Sequence, residues 1–350
     1  MLYPGGDRAA AVRRTGNRAR PSFGPWDSPV NQNILVIKLG AFGDIVLAFD
    51  AFHAIRTHHR RDRIVLLTRP AYATWAKTMP WFDEVWAEPR LSWCRVLQWL
   101  RWGSTLRNAG FTRVYDLQGN DRTALYFHLL GRRKPEWSGP VRGCSHPRPD
   151  FRGQRLPAYE RLLRQLEAAG VPRAGPADLS WLDGDLSAFS LPQRYVILVP
   201  GCSAHRPEKR WPASSFAALA NRLQADGVAC VAVGTRSDQA TLAELMALAP
   251  HVLNLADRTN FGQLAALARR ALAVVGNDTG PVHLMAAVGA PTVVLYSAAS
   301  DPFVVRPNGP SVAWLQRPRL RDLEVDEVWA LLVQTWREAP DSGPHVCPAS

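Results

Sequence analysis

Short apolar runs alternate with helical patterns along the first half of the chain. Strands are predicted over Ile34–Leu39, Ile64–Leu67 and Arg113–Leu117, and helices over Ile45–Arg56, around Tyr72–Met79 and over Asp121–Leu130. Strands that alternate with helices are typical of a parallel sheet whose crossovers are right-handed. The first half is therefore predicted to form one doubly wound α/β lobe.

The second half repeats this alternation. A helix predicted over Tyr159–Ala169 ends the first lobe. After it, strands are predicted over Tyr195–Val199, Val228–Val233, Leu272–Val275 and Pro291–Tyr296, with helices over Ala213–Gln224, Asp238–Leu248, Phe261–Arg270 and Leu323–Trp336. These elements predict a second doubly wound lobe. We expect the last helix to pack back across the first lobe.

The length of 350 residues is too great for one ordinary core and fits two domains. Residues 1–30 are rich in Arg, Gly and Pro without periodicity, so we predict a disordered basic arm there. We predict domains over residues 31–180 and 186–338 and a tail over 339–350. Residues 139–157 are predicted to be a long loop, and residues 171–193 the linker between the domains.

The most informative segment is Ala273–Pro302, which contains two apolar strand patterns with a helix start between them. Asn277, Asp278 and Thr279 are residue types that favour a helix N-cap, and Pro281 suits the first turn. Ligands of open parallel sheets bind where strands lead into helices, and a helix N-terminus presents free N–H groups to an anion. This polar cluster is therefore predicted to bind a ligand.

Three motifs stand in order along the chain: NILVIKLGAFGDIVLAFDAFHAIR at 33–56, PGCSAHRPEKRWP at 200–212 and AVVGNDTGPVHLMAAVGAPTVVLYSAASDP at 273–302. Together they resemble glycosyltransferase family 9, the heptosyltransferases that build the lipopolysaccharide core. The resemblance implies a GT-B fold, in which two Rossmann-like, doubly wound lobes face a central cleft. It also implies an ADP-activated heptose as donor and a lipopolysaccharide inner-core sugar as acceptor. The donor would bind the C-terminal lobe and the acceptor the N-terminal lobe.

Asp44 stands at the start of the first predicted helix, after the turn that ends in Gly43. A carboxylate at this position can simply complement the helix dipole. The resemblance gives Asp44 a second role, that of the general base, because the aspartate of the family's GD pair is the proposed base. An inverting transfer needs such a group to accept the proton of the sugar hydroxyl as it attacks. Gly43 permits close approach of the acceptor, and the GxGxxG spacing of nicotinamide-binding turns is missing.

The loop after the second lobe's first strand contains the candidate phosphate site. Gly201, Cys202 and Ser203 can offer backbone N–H groups, and the resemblance places the phosphate-contacting lysine at Lys209. Such groups stabilise a diphosphate leaving group without a metal ion. His205 and Arg206 in the same loop are weaker candidates.

The remaining donor residues are predicted in the DTG motif. Asp278, Thr279 and Gly280 match the family's donor-binding triplet, which implies that the carboxylate holds sugar hydroxyls and that the amides lie near the phosphates. Asp278 as a plain N-cap is the alternative. His283 lies one turn after Thr279 and would face the same side of the helix, where it either binds the donor or serves packing.

The net charge of +12 is concentrated in one segment. Between Arg90 and Arg164, fourteen arginines and one lysine stand against five acidic residues, a net charge of +10. This charge predicts an anionic partner, and without a nucleic-acid-binding motif a phosphorylated glycan or an acidic membrane is favoured over nucleic acid. We predict that Arg132 and Arg133, expected to flank a loop at the cleft, bind the acceptor.

Other features limit the location and the cofactors. The five cysteines form no CxxC pair, and no run of 18 apolar residues is present, so we expect a cytoplasmic protein without a structural metal. Asp183-Gly184-Asp185 resembles a metal-binding DxD, yet it lies in the predicted linker, where a turn is expected. We predict no metal site and no cofactor.

A second helix candidate, Ser92–Asn108, interleaves tryptophan and leucine with arginine. It either packs one face on the core or rests on the anionic surface of the inner membrane. Two other functions remain open at this point. One is a catalytically silent protein that binds anionic glycans or lipids on the same scaffold, and the other is a nucleotide-sugar epimerase.

Overall fold

A computed structural model describes residues 32–203 and 205–339 of the chain. The predicted N-terminal arm and nearly all of the predicted tail lie outside the described residues. Within them the fold has two parallel six-stranded sheets, one in each lobe.

The first lobe contains six strands and six helices. In chain order they are β1 (Asn33–Ile37), α1 (Phe42–Val46), α2 (Phe49–His58), β2 (Arg63–Thr68), α3 (Pro70–Ala76), β3 (Glu84–Ala87), α4 (Val96–Asn108), β4 (Arg113–Asp116), α5 (Asp121–Leu129), β5 (Glu136–Gly139), β6 (His146–Pro147) and α6 (Ala158–Ala168). The strand order is β3-β2-β1-β4-β5-β6, and every pair is parallel.

The second lobe is built in the same way. Its elements are β7 (Tyr195–Val199), α7 (Ala213–Ala225), β8 (Ala229–Ala232), α8 (Gln239–Leu248), β9 (Leu253–Asn254), α9 (Phe261–Arg270), β10 (Ala273–Asn277), α10 (Gly280–Ala287), β11 (Thr292–Tyr296), α11 (Pro302–Val305), β12 (Val312–Gln316) and α12 (Val325–Arg337). The order β12-β11-β10-β7-β8-β9 again reverses direction beside the first strand, so each sheet has a switch point at its centre.

The central strands are apolar on both faces because helices cover both sides of each sheet. All five residues of β7, β10 and β11 are buried. One buried cluster runs through both lobes, and it includes Phe42 and Phe49 from the first lobe and Ala265 and Val282 from the second. The two lobes therefore share an apolar centre, to which helices α1 and α2 contribute from the first lobe and α9 and α10 from the second.

Three predicted features of the fold need correction. The helix predicted over Ile45–Arg56 is two helices, because the chain turns tightly at Leu47 and Ala48. The loop predicted over residues 139–157 contains the end of β5 and the short strand β6. Helix α12 does not cross the first lobe. Its buried residues Val328 and Leu332 pack in the second lobe's core, beside β10 and β11.

No helix or strand lies between α6 and β7, where the linker is predicted. This segment is nevertheless fastened to both lobes. The Asp50 carboxylate of α2 accepts the N–H of Ala177 at 2.9 Å, and Arg269 of α9 donates to the carbonyls of Leu179 and Leu182 at 2.7 Å each. The segment that connects the domains is therefore packed against both of them.

Candidate functional site

The two lobes touch where β1 and β10 lead into helices. A Cβ atom added to Gly43 would lie 3.0 Å from Cδ2 of His283 and 3.4 Å from Cα of Gly280. A Cβ added to Gly280 would lie 2.7 Å from Cδ1 of Phe42. Glycine at both positions thus lets the start of α1 meet the start of α10, and two predicted motifs face each other at the cleft.

Aromatic rings and polar contacts hold this arrangement. The ring of Phe42 stacks on that of Phe261 with centroids 4.1 Å apart. Asn308 donates from its side-chain amide to Asp50 at 2.7 Å, and Arg155 forms an ion pair with Asp301 at 2.8 Å. These contacts all join the first lobe to the second.

Asp44 lies at the third position of α1, on the exposed side of this junction. Its Oδ2 atom accepts the N–H of Ala41 at 2.9 Å, which fixes the carboxylate at the helix start. The other carboxylate oxygen has no hydrogen bond to a described residue. Asp44 is thus held in place by one oxygen while its exposed side chain can meet a substrate hydroxyl.

Two further charged groups lie behind Asp44 that the sequence patterns did not single out. Lys38, directly after β1, is buried and donates to the Leu117 carbonyl at 3.1 Å. Burial lowers the pKa of Lys38, and the nearby charges of Asp44 and Asp116 oppose that shift. Asp116, at the end of β4, has its pKa raised to about 6 by burial, although N–H groups of Gly119 and Gln118 bind its Oδ1 atom.

The second lobe contributes a compact polar cluster around Asp278. Its Oδ2 atom accepts from Nζ of Lys209 at 2.6 Å and from Oγ of Ser300 at 2.7 Å, and Nε2 of His283 lies 3.8 Å from Oδ1. Burial alone would raise the pKa of Asp278. The contacts with His283, Lys209 and Ser300 outweigh burial and lower it well below its usual value. Asp278 is therefore a carboxylate, and its partner Lys209 is preorganised at the loop predicted to hold phosphate.

Thr279, not Asp278, is the N-cap residue of α10, and its side chain makes no cap hydrogen bond. The plain N-cap reading of Asp278 is therefore wrong, since its oxygens bind other elements. Asn277 is not a cap either. It is fully buried, accepts the N–H of Trp211 at 3.0 Å and donates to the Pro200 carbonyl at 2.8 Å. Asn277 thereby fastens both ends of the 200–212 loop to the end of β10.

The 200–212 loop buries the side chain of one predicted residue and exposes those of three others. Cys202 is buried, with Sγ 3.2 Å from the Arg206 carbonyl and 3.3 Å from Nε of Arg210, and burial raises the pKa of its thiol. Only the backbone of Cys202 can serve a ligand. Ser203, His205 and Arg206 are exposed at the mouth of the loop.

A pocket that the sequence patterns did not indicate lies beside this loop. It measures about 400 Å³ and is lined by residues that follow β8 and by the end of β9 and the segment after it, among them Thr235, Gln239, Leu242, Asn254 and Asp257.

The pocket adjoins the phosphate loop through Gly201. A Cβ on Gly201 would overlap the carboxylate of Asp238, at 2.4 Å from Cγ, and that carboxylate caps the N–H of Thr235 at 2.9 Å. The sequence feature that could have predicted this pocket is the polar run Thr235–Asp238, which follows soon after the buried strand β8.

Arg132 and Arg133 do not flank the cleft, so that prediction is wrong. Helix α5 starts at the carboxyl end of β4, which is the cleft edge, and runs to the opposite edge before β5 begins. Both arginines lie in the turn between α5 and β5, and Arg133 lines a small cavity there with Leu106 and Phe111. The basic residues that follow the carboxyl ends of β5 and β6 are Arg142 and Arg148, and both are exposed.

The Asp183-Gly184-Asp185 segment forms a packed turn. The Asp185 carboxylate accepts the N–H and the hydroxyl of Ser187 at 2.8 and 2.9 Å. A Cβ on Gly184 would lie 2.5 Å from the N atom of Gln263, so the turn sits against the start of α9. In the described part of the chain, no three His, Cys, Asp or Glu side chains are grouped as metal ligands.

Comparison with known proteins shows the family to which the chain belongs. The sequence profile of glycosyltransferase family 9 (heptosyltransferase) matches residues 162–325. The lipooligosaccharide heptosyltransferase 2 of Haemophilus ducreyi is 35% identical over 304 residues, which cover 77% of this chain and 84% of that protein. The chain belongs to glycosyltransferase family 9. The prediction of the family is thereby confirmed, and the chain is a glycosyltransferase rather than an epimerase.

A second relative and one structure add detail. The lipooligosaccharide heptosyltransferase 2 of Haemophilus influenzae is 35% identical over 102 residues, and that alignment spans 28% of this chain and 30% of the relative. The structure of Escherichia coli ADP-heptose lps heptosyltransferase II superposes with a TM-score of 0.69 at 22% identity, covering 87% of this chain and 99% of the other. The superposition confirms the predicted GT-B fold with two Rossmann-like lobes.

Proposed function

We propose that this family 9 enzyme transfers a heptose, or a closely related sugar, from an ADP-sugar to an inner-core sugar of lipopolysaccharide. The observation that carries the proposal is the meeting of two sites. Asp44 lies at the start of α1, and α1 touches α10, beside which Asp278 and Lys209 are paired. The names of the relatives, which specify lipooligosaccharide and ADP-heptose, support the same acceptor and donor.

The second lobe would bind the donor. The diphosphate would lie against Lys209, the exposed Ser203 and the backbone of Gly201 and Cys202, near the N-terminus of α10. The hydroxyl groups of the sugar would meet the carboxylate of Asp278. The pocket lined by Thr235 and Asp257 is adjacent and large enough for the nucleoside, so we assign the adenosine to it.

Transfer would then proceed as one displacement with inversion at the anomeric carbon. The acceptor hydroxyl oxygen forms the new bond to that carbon, the bond from the carbon to the diphosphate oxygen breaks, and ADP leaves with the electron pair. Asp44 accepts the hydroxyl proton during attack. Lys209 stabilises the charge that grows on the leaving diphosphate, so the step requires no metal ion.

The acceptor would enter along the first lobe. The space beside Gly43 is filled by His283 of α10, so Gly43 serves the contact between the lobes and not, as the sequence patterns suggested, the acceptor. The acceptor would meet the exposed side chain of Asp44, and exposed Arg142 and Arg148 at the same sheet edge would contact its phosphate groups. These two arginines take the place that the sequence patterns gave to Arg132 and Arg133. We further propose that the protein works in the cytoplasm, where nucleotide-sugars are made. Every helix in the described part of the chain is too short or too polar to cross a bilayer.

Calorimetric titration with ADP, UDP and GDP tests the donor class. We expect ADP to bind at least about tenfold more tightly than UDP or GDP, because a pocket shaped for a purine with one pattern of polar groups discriminates by about 1.4 kcal/mol or more. Equal affinity for the three nucleotides would contradict the assignment of an ADP-sugar.

A further inference from the structure

The first lobe exposes an unusual concentration of apolar side chains on and just before α4. Trp93, Val96, Leu97 and Leu100 have exposed fractions of 60, 63, 72 and 53%. In the part of the chain that the structure describes, only two other large apolar side chains are comparably exposed, and both lie in the second lobe. We call these four residues the α4 patch.

The α4 patch is not the core-facing side of its helix. Trp99, Gly103 and Leu106, at helical spacing, are buried and bind α4 to the lobe. Val96, Leu97 and Leu100 are exposed and continue from this buried stripe around one flank of the helix, with Leu97 furthest from the core. One face of α4 therefore packs on the core, as one of the two sequence alternatives predicts, while the side chains of Val96, Leu97 and Leu100 stay exposed.

Along the chain, the charged residues within and beside the patch are all basic. Arg90, Arg95 and Arg101 are exposed within and beside it, and no Asp or Glu occurs from residue 89 to residue 115. Apolar side chains that alternate with arginine, with tryptophan at the edge, match the boundary between the acyl chains and the headgroups of an anionic bilayer. A second copy of this chain would instead bring the same arginines together, which is electrostatically unfavourable.

The position of the patch relates it to the cleft. Arg122, in the first turn of α5 at the cleft edge, forms an ion pair with Glu88 at 2.7 Å and donates to the Leu91 carbonyl at 2.8 Å. Its guanidinium also lies over the rings of Trp93 and Trp99, 5.7 and 5.1 Å from their centroids. The patch is thus fixed to the acceptor side of the active cleft.

We infer that the α4 patch is a membrane-docking surface that inserts into an anionic lipid bilayer and holds the acceptor cleft against it. The inference deepens the proposed function, on which it rests only for the identity of what the membrane carries. Docking by itself requires lipid and not substrate. A lipid-anchored acceptor would then reach Asp44 from the bilayer on which the enzyme sits.

Vesicle flotation with the full chain tests the docking. We expect binding to vesicles of phosphatidylethanolamine and phosphatidylglycerol and little binding to phosphatidylcholine alone. Replacing two apolar residues, in the double variant Leu97→Ser and Leu100→Ser, should lower the partition coefficient by about tenfold or more, because each leucine loses its burial among acyl chains. The double variant Arg95→Gln and Arg101→Gln should lower it by a similar factor on anionic vesicles.

The matched control is Leu248→Ser, which removes an equally apolar side chain, 49% exposed, from α8 of the second lobe. It should leave vesicle binding unchanged. Unaltered binding of the leucine double variant, or an equal loss in the control, would overturn the inference. So would light scattering that shows a dimer in the wild type and a monomer in the leucine variant.

A kinetic comparison separates docking from chemistry. The leucine double variant should raise KM for an acceptor embedded in vesicles and leave KM unchanged for the same glycan stripped of its acyl chains. ADP affinity should stay at the wild-type value. If the wild type bound vesicles but failed to transfer sugar, the proposed function would fall while the docking surface stood.

Discussion

The ion pair between Lys209 and Asp278 is the feature whose removal has the most specific consequence. The Nζ and Oδ2 atoms lie 2.6 Å apart, and the side chains are only 18 and 9% exposed. Lys209 thus has two tasks in the proposed mechanism: it binds the diphosphate of the donor, and it neutralises Asp278. We predict that Lys209→Met removes both contributions to ADP binding.

The magnitude follows from these two contributions. A charge-assisted hydrogen bond to phosphate is worth about 1.5 to 3 kcal/mol. Without its partner, the Asp278 carboxylate would repel a phosphate roughly 5 Å away by about 3 kcal/mol at an effective dielectric constant of about 20. Together they come to about 4.5 to 6 kcal/mol, so the ADP dissociation constant of Lys209→Met should rise by a factor between about 10³ and 10⁴.

A double-mutant cycle distinguishes the two contributions. Asp278→Asn removes the repulsion, so in the Lys209→Met background it should restore ADP affinity by about tenfold or more. On its own, Asp278→Asn should leave ADP affinity unchanged or tighter, because Lys209 keeps its charge. Calorimetry on all four proteins gives the coupling energy. Additive effects, or an unchanged ADP affinity in Lys209→Met, would refute the role of this pair.

Three further predictions concern the acceptor site, the buried carboxyl and the metal. Replacing Arg142 and Arg148 with Glu should raise KM for the acceptor several-fold more than KM for the donor. The same change at Arg132 and Arg133 should alter neither KM. Equal effects of the two double variants in steady-state kinetics would contradict the assignment of Arg142 and Arg148 to the acceptor site. Between about pH 4 and pH 6 the Asp116 carboxyl is protonated in the folded protein and ionised in the unfolded chain. As the pH rises through this range, the free energy of unfolding should therefore fall by up to about 1.4 kcal/mol per pH unit. In urea titrations, Asp116→Asn should make this fall less steep. A variant with the wild-type pH slope would rule this out. Transfer should survive EDTA, and complete loss that Mg²⁺ restores would show that the leaving group needs a metal.

Local sequence patterns were sufficient for the central elements of both sheets. Strands β1, β7, β10 and β11 are largely apolar runs because helices cover both faces of the sheets. The start of helix α9 could be predicted from Asn260, a favoured N-cap residue. Strand β3 lacked such a signal. It is a half-exposed edge strand, EVWA, whose pairing with β2 is set by the sheet and not by its own composition.

Only part of the polar site could be predicted from the sequence, for a different reason. The positions of Lys209 and Asp278 came from motifs, yet their contact joins residues 69 positions apart. Ser300 likewise binds Asp278 across a gap in the sequence, and the buried Lys38 lies near Asp116, far from it along the chain. No local spacing encodes such long-range contacts. The misplacement of Arg132 arose similarly, since charge density along the chain does not say which end of a helix faces the cleft.

The most direct test of the central claim is a transfer assay on Asp44→Asn. The asparagine keeps an oxygen that can accept the N–H of Ala41, so the start of α1 should be preserved. With ADP-heptose and a lipopolysaccharide inner-core acceptor, we predict that mass spectrometry detects the heptosylated product with the wild type. The variant should lose about 10² to 10⁴ in rate, the usual contribution of a general base, while its ADP affinity stays within about threefold. Transfer by Asp44→Asn at more than about a tenth of the wild-type rate, or no transfer from ADP-heptose by the wild type, would contradict the account.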